Sequence, residues 1–306
     1  MNDDVEPGLG GIAAHDAIEH YLDIGRHDLA LARAREHLSG HSEDPDVLTL
    51  MAHALMGLNR SADAESVARQ ALTIDPTLID AKYILGHLAM DNGRHREAES
   101  FYLEVLAEAP ENVPAIVSYG VLMRKVGDLV KAERLARQAL AVDPTNADAH
   151  RLLSFLLTEG RSVTGFRAAR GHGDAALRFE PNESPSHRVQ GINCLRTGHP
   201  FAAKRHLREA VRLDPSPETE ALFLAADRST RWCYLPMYYW TLVVGRLPGK
   251  QFTVWGIFVA TILGAQALGV NPRLLGVVST IYISVCVYTW LAVPIVKAWT
   301  HWRRPR

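Results

Sequence analysis

The fold is decided by residues 79–112, which read IDAKYILGHLAMDNGRHREAESFYLEVLAEAPEN. Three small or helix-ending residues of this stretch recur 34 positions further along the chain, as the pairs Gly86/Gly120, Ala98/Ala132 and Pro110/Pro144. The last two also have counterparts 34 positions earlier, at Ala64 and Pro76. A fixed period in the thirties is typical of stacked helical repeats, so the sequence predicts one structural unit used several times.

The spacing within each period indicates two helices. A small side chain is needed wherever two helices cross closely, and Gly86 and Ala98 supply one on each helix. Pro110 follows the second helix, where it cannot continue the helical hydrogen bonding and fixes the turn into the next repeat. The sequence therefore predicts an all-α protein.

The residues Leu85, Gly86, Ala98, Tyr102 and Pro110 resemble the pattern of the tetratricopeptide repeat (TPR) family. Three positions depart from the family pattern, namely Lys82, Ala89 and Val105. The resemblance implies a right-handed helical solenoid whose inner groove is lined by the first helix of each repeat. For function it implies only the binding of a protein or peptide, because one fold hosts many activities.

The same register divides most of the chain into about six helix pairs. The predicted repeats are 11–44, 45–78, 79–112, 113–146, 147–183 and 184–217. Residues 1–10 are predicted to be a flexible N-terminus, and residues 218–227, which follow Pro217, are predicted to form a capping helix. The repeat 147–183 is three residues longer and carries Gly171 and Gly173, so we expect it to be the least stable.

Charge is distributed unevenly along the chain. Residues 1–227 hold 24 Lys or Arg against 34 Asp or Glu, whereas residues 228–306 hold nine bases and no acid. All six Trp also lie after position 231. This composition predicts a protein in two parts, an acidic repeat region and a basic, aromatic region.

Residues 228–250 begin the basic part and are rich in aromatic side chains. Their apolar stretch, residues 236–247, is too short to span a bilayer. The aromatic residues favour a segment in the lipid headgroup layer; they are Trp232, Tyr234, Tyr238, Tyr239 and Trp240. The alternative is that the segment packs on the end of the repeats as an additional cap.

Two uncharged runs follow, residues 251–270 and 274–296, with only Asn271-Pro272-Arg273 between them. A helix over the first run is about 30 Å long, which is the thickness of a bilayer core. The sequence therefore predicts an antiparallel transmembrane hairpin. The alternative, a buried pair of soluble helices, is disfavoured by the Trp side chains near both ends of the runs.

The flanking charges predict the orientation of this hairpin. Eight Lys or Arg lie before and after the two runs, against Arg273 alone in the turn. Because bases stay on the cytoplasmic side, we expect both termini to be cytoplasmic, including the basic tail 297–306. The acidic N-terminus lacks the apolar core of a signal peptide, and the low share of Lys among the bases hints at a bacterial inner membrane.

Residues that could carry chemistry form no recognisable catalytic motif. There is no nucleophile motif and no glycine-rich phosphate loop, so we expect neither an enzyme nor a cofactor. Cys194, Cys233 and Cys286 do not have the spacing of a zinc site. His53 and His87 lie 34 residues apart and are candidates for a shared metal, but solvated or groove-lining His is the favoured interpretation, and no metal site is predicted.

The repeat register predicts the side chains that line the groove and bind a partner. These candidates are His53, Tyr83, His87, Val121, Arg124, Arg151, Phe155, Arg188, Ile192 and Arg196. The four Arg are expected to form a basic strip that binds a partner segment mixing acidic and apolar residues. The alternative is that these Arg only balance an acidic, solvated surface.

Together these features predict a membrane-anchored scaffold with a cytoplasmic groove for a protein or peptide. The lipid bilayer is the second predicted partner, and no nucleic acid or small-molecule substrate is implied. Two alternatives stay open at this point. One is a transient assembly or chaperone-like factor for membrane-complex subunits, and the other is an accessory subunit of a membrane enzyme.

Overall fold

The computed structural model describes residues 7–159 and 163–232, together with residues 234, 235, 238, 239, 242, 260, 276, 277, 280 and 284. The chain divides into two compact units, Met1–Pro144 and Thr145–Arg306. We call them unit 1 and unit 2 and describe each by itself. Across the described ranges the chain forms thirteen α-helices, which confirms the predicted all-α, TPR-like architecture.

Unit 1 consists of four successive helix pairs. Their bounds are α1 Pro7–Asp23 and α2 His27–Leu38, α3 Pro45–Gly57 and α4 Ser61–Ile74, α5 Ile79–Asp91 and α6 His95–Glu108, α7 Val113–Val126 and α8 Leu129–Val142. Helix α1 starts four residues before the predicted first repeat, so the end of the segment 1–10 is already helical. The other pairs follow the predicted repeat boundaries.

Unit 2 continues the pattern with two pairs and a single helix. The bounds are α9 Ala147–Glu159 and α10 Val163–Phe179, α11 Ser184–Thr197 and α12 Pro200–Leu213, and α13 Pro217–Ser229. The helix expected over residues 218–227 is α13, which packs its buried Ala226 with Leu207 and Cys194 of the last pair. Ser216 caps its N-terminus by accepting the Thr219 N–H.

The small residues of the register lie where the two helices of each pair meet. One Ala per repeat, at the position that Ala98 occupies, is at most 1% exposed in all six pairs; the series is Ala30, Ala64, Ala98, Ala132, Ala169 and Ala203. In the pair α5–α6, a Cβ on Gly86 would lie 2.8 Å from the ring of Tyr102, which is fully buried. The close helix crossing predicted from Gly86 and Ala98 is therefore confirmed.

The longer repeat 147–183 is held by buried polar side chains of α9 and α11. Asn193 donates to the hydroxyl of Ser154 at 2.7 Å and accepts from the hydroxyl of Thr158 at 2.7 Å. Ser154 in turn donates to the carbonyl of Ala169 on α10. Helix α10 runs through both Gly171 and Gly173, and Gly173 lies against the side chain of Gln190, where a Cβ would collide. Gly173 thus provides room for packing, a role that helix propensity alone does not reveal.

The described residues beyond α13 include two tyrosines that contact the last repeat. Tyr238 is 7% exposed and donates its hydroxyl to the carbonyl of Leu195 at 2.5 Å, and Tyr239 donates to the carbonyl of Gly198 at 3.3 Å. These contacts fit the capping alternative for that part of 228–250. Trp232 is 80% exposed, and the placement of the segment in a headgroup layer stays a prediction.

None of the helices in the described part of the chain has both the length and the apolar character needed to cross a membrane. The predicted spans 251–270 and 274–296 and the tail 297–306 lie outside the described residues, except for a few positions within the spans. Those positions, which are helical, are Ala260, Gly276, Val277, Thr280 and Ser284.

We expect Gly191→Ala to destabilise unit 2. A Cβ at this position would lie 2.5 Å from Cγ of Leu207, which is fully buried and cannot move aside. Overpacking of this kind costs about 1–3 kcal/mol, which outweighs the gain of about 1 kcal/mol in helix propensity. Thermal unfolding followed by circular dichroism measures the effect.

Gly171→Ala is the matched control for this prediction. Gly171 also lies inside a helix of unit 2, but a Cβ there would meet nothing within 4 Å. This substitution is therefore expected to increase the free energy of unfolding by up to about 1 kcal/mol and so to raise the melting temperature. A Gly191→Ala protein as stable as the Gly171→Ala protein contradicts the close crossing of α11 and α12.

Candidate partner-binding site

The predicted groove residues of unit 1 lie on the first helices of successive pairs. His53 is on α3 and is exposed, whereas Tyr83 and His87 are on α5 and are half-buried. Val121 and Arg124 are on α7 and are also half-buried. Each of these side chains therefore keeps part of its surface accessible to a partner.

Two of these residues join a third that the register did not predict. The hydroxyl of Tyr83 lies 3.2 Å from Nε2 of His87 and 3.2 Å from the hydroxyl of Ser118, and His87 Nε2 lies 3.1 Å from the same Ser118 oxygen. Tyr83 and His87 are one turn apart on α5, and Ser118 comes from α7. We call these three residues the Tyr–His–Ser cluster; it links two successive first helices.

Tyr83 and His87 of the cluster pack against the ring of Tyr102. The ring of His87 stands at 89° to the ring of Tyr102 on α6, with centroids 6.3 Å apart, and Tyr83 approaches Tyr102 at the same distance. Tyr102 is fully buried, and burial raises its pKa well above the usual value, so its hydroxyl stays neutral. The cluster therefore packs against a buried, uncharged aromatic side chain.

Val121 and Arg124 extend this surface along α7. Val121 follows Ser118 by three residues and Arg124 follows Val121 by three, so each is a helix-surface neighbour of the next, and the three span an arc of about 120°. The unit-1 groove surface, as we define it, contains the Tyr–His–Ser cluster, Val121 and Arg124. It combines hydrogen-bonding groups, one apolar side chain and one cation.

The second helices of unit 1 carry a different surface, in which charges pair across repeats. Glu65 on α4 accepts hydrogen bonds from Arg69 at 2.9 Å and from Arg94, which precedes α6, at 2.6 Å. Glu97 on α6 accepts from the same two Arg. The Arg94 hydrogen bond is the main reason that the pKa of Glu65 is lowered. These charges satisfy one another, which leaves this surface less suited to binding a charged partner.

In unit 2 the predicted groove residue Arg151 is held by neighbouring carboxylates. Its guanidinium forms ion pairs with Asp148 on its own helix and with Glu180 at 2.6 Å, and donates to the hydroxyl of Ser186 at 2.8 Å. Burial opposes its charge, but the two carboxylates outweigh this and raise the pKa of Arg151. Arg151 therefore connects α9, the end of α10 and α11, and a partner's carboxylate would have to compete with two internal ones.

The other predicted residues of unit 2 keep more accessible surface. Arg188 lies 4.0 Å from the carboxylate of Glu218, which is 88% exposed, and Arg196 is itself exposed. Phe155 and Ile192 are half-buried. The structure thus separates Arg151, whose side chain is largely buried, from the more exposed Arg188 and Arg196. The basic strip that also includes Arg124 of unit 1 stays a prediction.

Two histidine pairs occupy equivalent positions in successive repeats of unit 2, which sequence reasoning missed. Nδ1 of His150 lies 2.9 Å from Nδ1 of His172, and Nδ1 of His187 lies 3.4 Å from Nδ1 of His206. Burial, followed by the proximity of His187, lowers the pKa of His206. Each pair joins the first and second helix of one repeat. The pairs could have been found in the sequence. His150 and His187 occupy the same position of their repeats, and so do His172 and His206 once the three extra residues of the repeat 147–183 are subtracted.

The known proteins that resemble this chain share its helical repeats. Residues 60–118 match the family model described as tetratricopeptide repeat, a range that contains Tyr83, His87 and Ser118. This match and the solved structures of similar fold confirm the TPR resemblance of the repeat region. A sequence search found no significant match among curated proteins.

Three solved structures illustrate the likeness. The anaphase-promoting-complex hetero-tetramer Cut9–Hcn1 aligns over 70% of this chain at 16% identity with a TM-score of 0.62, and the chain spans 42% of the matched chain there. A tetratricopeptide repeat protein from Parabacteroides merdae aligns over 73% of this chain and 86% of its own, at 16% identity and a TM-score of 0.58. PilF from Pseudomonas aeruginosa aligns over 71% of this chain and 99% of its own, at 18% identity and a TM-score of 0.54. At these identities the likeness shows the fold alone.

We expect Arg151→Ala to destabilise unit 2 regardless of any partner. The substitution removes the cation that lies between the carboxylates of Asp148 and Glu180. It also removes the hydrogen-bond donor to the hydroxyl of Ser186, which is buried. The expected loss is about 1–3 kcal/mol in free energy of unfolding, because the carboxylates are partly exposed and solvent screens them. Thermal unfolding of the full chain measures it.

Arg188→Ala serves as the control, since its ion pair is longer and its partner is exposed. A change within about 0.5 kcal/mol is expected there. Equal melting temperatures for the two variants contradict a structural role for Arg151.

Proposed function

We propose that this protein is a membrane-anchored scaffold whose TPR-like region holds a protein or peptide partner on the unit-1 groove surface. The observation that carries this proposal is the Tyr–His–Ser cluster. It places three hydrogen-bonding side chains from two adjacent first helices within 3.2 Å of one another, packed against the buried ring of Tyr102. Structures of this fold include a protein in a hetero-tetramer with another protein, the Cut9–Hcn1 complex, so the fold is compatible with binding a protein partner.

The chemistry of the surface indicates the kind of segment that it suits. Tyr83 and His87, which are half-buried, offer donors and acceptors to a polar side chain or a peptide group, and the buried Ser118 orients both of them. Arg124 favours a carboxylate, and Val121 favours an apolar residue beside it. We therefore infer a partner segment that carries an acidic and an apolar side chain within one or two helical turns.

A non-catalytic role fits this cluster better than hydrolysis. Ser118 lies in the middle of α7 and is 7% exposed, so a substrate carbonyl has little access to its hydroxyl. The cluster is thus proposed to recognise a partner and not to transform it.

The membrane anchor of the proposed scaffold is the hairpin formed by residues 251–270 and 274–296. Its support comes from the sequence: two uncharged runs, Trp side chains near their ends, and eight flanking bases against Arg273 in the turn. The positions described within the runs are helical. We propose a bacterial inner membrane with both termini in the cytoplasm.

The partner is found by crosslinking and recovery from native membranes, using the full chain and two groove variants. His87→Ala removes one member of the cluster, and Arg124→Ala removes the cation of the same surface. Each is expected to lower partner recovery about tenfold, which corresponds to one lost hydrogen bond to a charged group. The melting temperature is measured in parallel, so that lost binding is not confused with lost folding.

Arg134→Ala is the matched control, since this exposed Arg is also in the last pair of unit 1 but on the second helix α8. It is expected to recover the partner normally. Normal recovery by both groove variants excludes this surface. Stoichiometric recovery at all growth stages supports a scaffold, whereas recovery confined to the synthesis of membrane complexes supports an assembly factor.

The orientation of the anchor is tested separately by cysteine labelling from outside the cell. A cysteine introduced at Asn271, in the predicted turn, is expected to react with a membrane-impermeant reagent. A cysteine at Thr300 is expected to react only after the membrane is permeabilised. The opposite labelling pattern reverses the proposed topology, and labelling of both positions in intact cells excludes the hairpin.

A further inference from the structure

A group of histidine and aspartate side chains lies at the start of unit 1, away from the groove surface. His15 on α1, Asp44 and Asp46 each present one ligand atom, and these atoms lie within 4.8 Å of one another. Asp44 immediately precedes α3, and Asp46 belongs to its first turn. Among the described residues this is the one group of three such side chains with this geometry.

The distances are close to those that a bound metal ion would need. Nε2 of His15 lies 3.8 Å from Oδ1 of Asp44. Two ligand atoms on one tetrahedral zinc ion, each about 2.1 Å from the metal, are about 3.4 Å apart. The required contraction is small, and Asp46, which is exposed, can rotate toward the other two.

Two further histidines, His37 and His41, lie beside Asp44. Nε2 of His37, near the end of α2, lies 2.9 Å from Oδ2 of Asp44, and its ring stacks on that of His41 with centroids 4.8 Å apart. Metal-ligating groups are usually oriented by such outer hydrogen bonds, here from a histidine to a ligating carboxylate. An open depression lined by residues 40–44 gives solvent access to the group.

The other role of Asp44 is compatible with metal binding. Its Oδ1 accepts the Val47 N–H at 3.1 Å and so caps α3. A carboxylate oxygen has lone pairs for both a hydrogen bond and a metal ion. The cap also fixes the carboxylate in place, which lowers the cost of organising the site.

We propose that His15, Asp44 and Asp46 bind one divalent transition-metal ion of the zinc type. Imidazole nitrogen selects against Mg²⁺ and Ca²⁺, which prefer oxygen ligands alone, and carboxylates together with imidazole suit Zn²⁺. The sequence predicted no metal site, because these ligands are 29 and two residues apart and only the fold brings them together. This inference does not depend on the proposed partner or on the membrane anchor.

The place of the site in the chain indicates what the metal would do. The first repeat has Ser42 where later repeats have a closing proline, such as Pro76 and Pro110. His15 comes from α1, Asp44 from the end of the loop that contains Ser42, and Asp46 from the first turn of α3. A bound ion would tie these elements together and stabilise the first repeat, since a ligand that binds only the folded state raises its stability.

The test uses the full chain, purified without a histidine tag and stripped of metal, titrated with Zn²⁺ by calorimetry. We expect one saturable site, together with a higher melting temperature in the presence of Zn²⁺. His15→Gln and Asp46→Asn are each expected to weaken this binding at least about tenfold. His20→Gln is the matched control, because His20 lies on the same helix and outside the group, and it should bind Zn²⁺ as the unsubstituted chain does.

Three results would overturn the proposal. One is the absence of a saturable Zn²⁺ site in the unsubstituted chain, and another is unchanged affinity in either ligand variant. The third is Ca²⁺ or Mg²⁺ binding as tight as that of Zn²⁺, because the histidine would then contribute nothing. Circular dichroism shows whether His15→Gln folds; if it does not, Asp46→Asn, a change at an exposed side chain, decides the question.

Discussion

The close crossing of the two helices within each repeat is the constraint on which the other features depend. At Gly86 the backbone of α5 comes so near to the ring of Tyr102 that even a methyl group would collide, and Ala98 is fully buried on the opposing helix. Close packing of this kind fixes how far each helix is rotated about its axis. Only with that rotation fixed do Tyr83 and His87 face the hydroxyl of a residue on the next first helix.

The fold was predictable because its determinants are local and repeated. A small residue every 34 positions and a proline after the second helix are visible in the sequence, and each repeat packs mainly on its neighbours. The site was predictable only in part. The register placed Tyr83 and His87 in the groove and, on the next helix, Val121 and Arg124, but it did not select Ser118, which makes the hydrogen bonds. One residue along a helix is a rotation of about 100°, which a sequence pattern does not resolve.

Charge was the property that the sequence described least well. Counting bases and acids predicts an acidic repeat region, but it does not say which charges pair. Arg151 meets Glu180 from 29 residues further along the chain, and Glu65 meets Arg94 across the same separation. Arg151 and Glu180 belong to the same repeat, 147–183, whereas Glu65 and Arg94 belong to successive repeats, so both ion pairs depend on how the helices pack and not on their order in the sequence. A basic residue on a predicted groove face can therefore belong to the structure and not to a partner.

Within the described residues, the first pair, α1–α2, and the last pair, α11–α12, each pack on another helix pair on one side only, and different contacts are found at each place. In the first repeat, His15 on α1 and His37 on α2 both contact Asp44, which ends the loop that lacks a closing proline. After the last pair, α13 and the hydroxyl of Tyr238 cover groups that a following repeat would otherwise cover. The pairs α3–α4 and α5–α6 need no such device, since each packs on a neighbouring repeat on both sides. Their first helices are thus left to vary for binding, and this is where Tyr83 and His87 of the Tyr–His–Ser cluster lie.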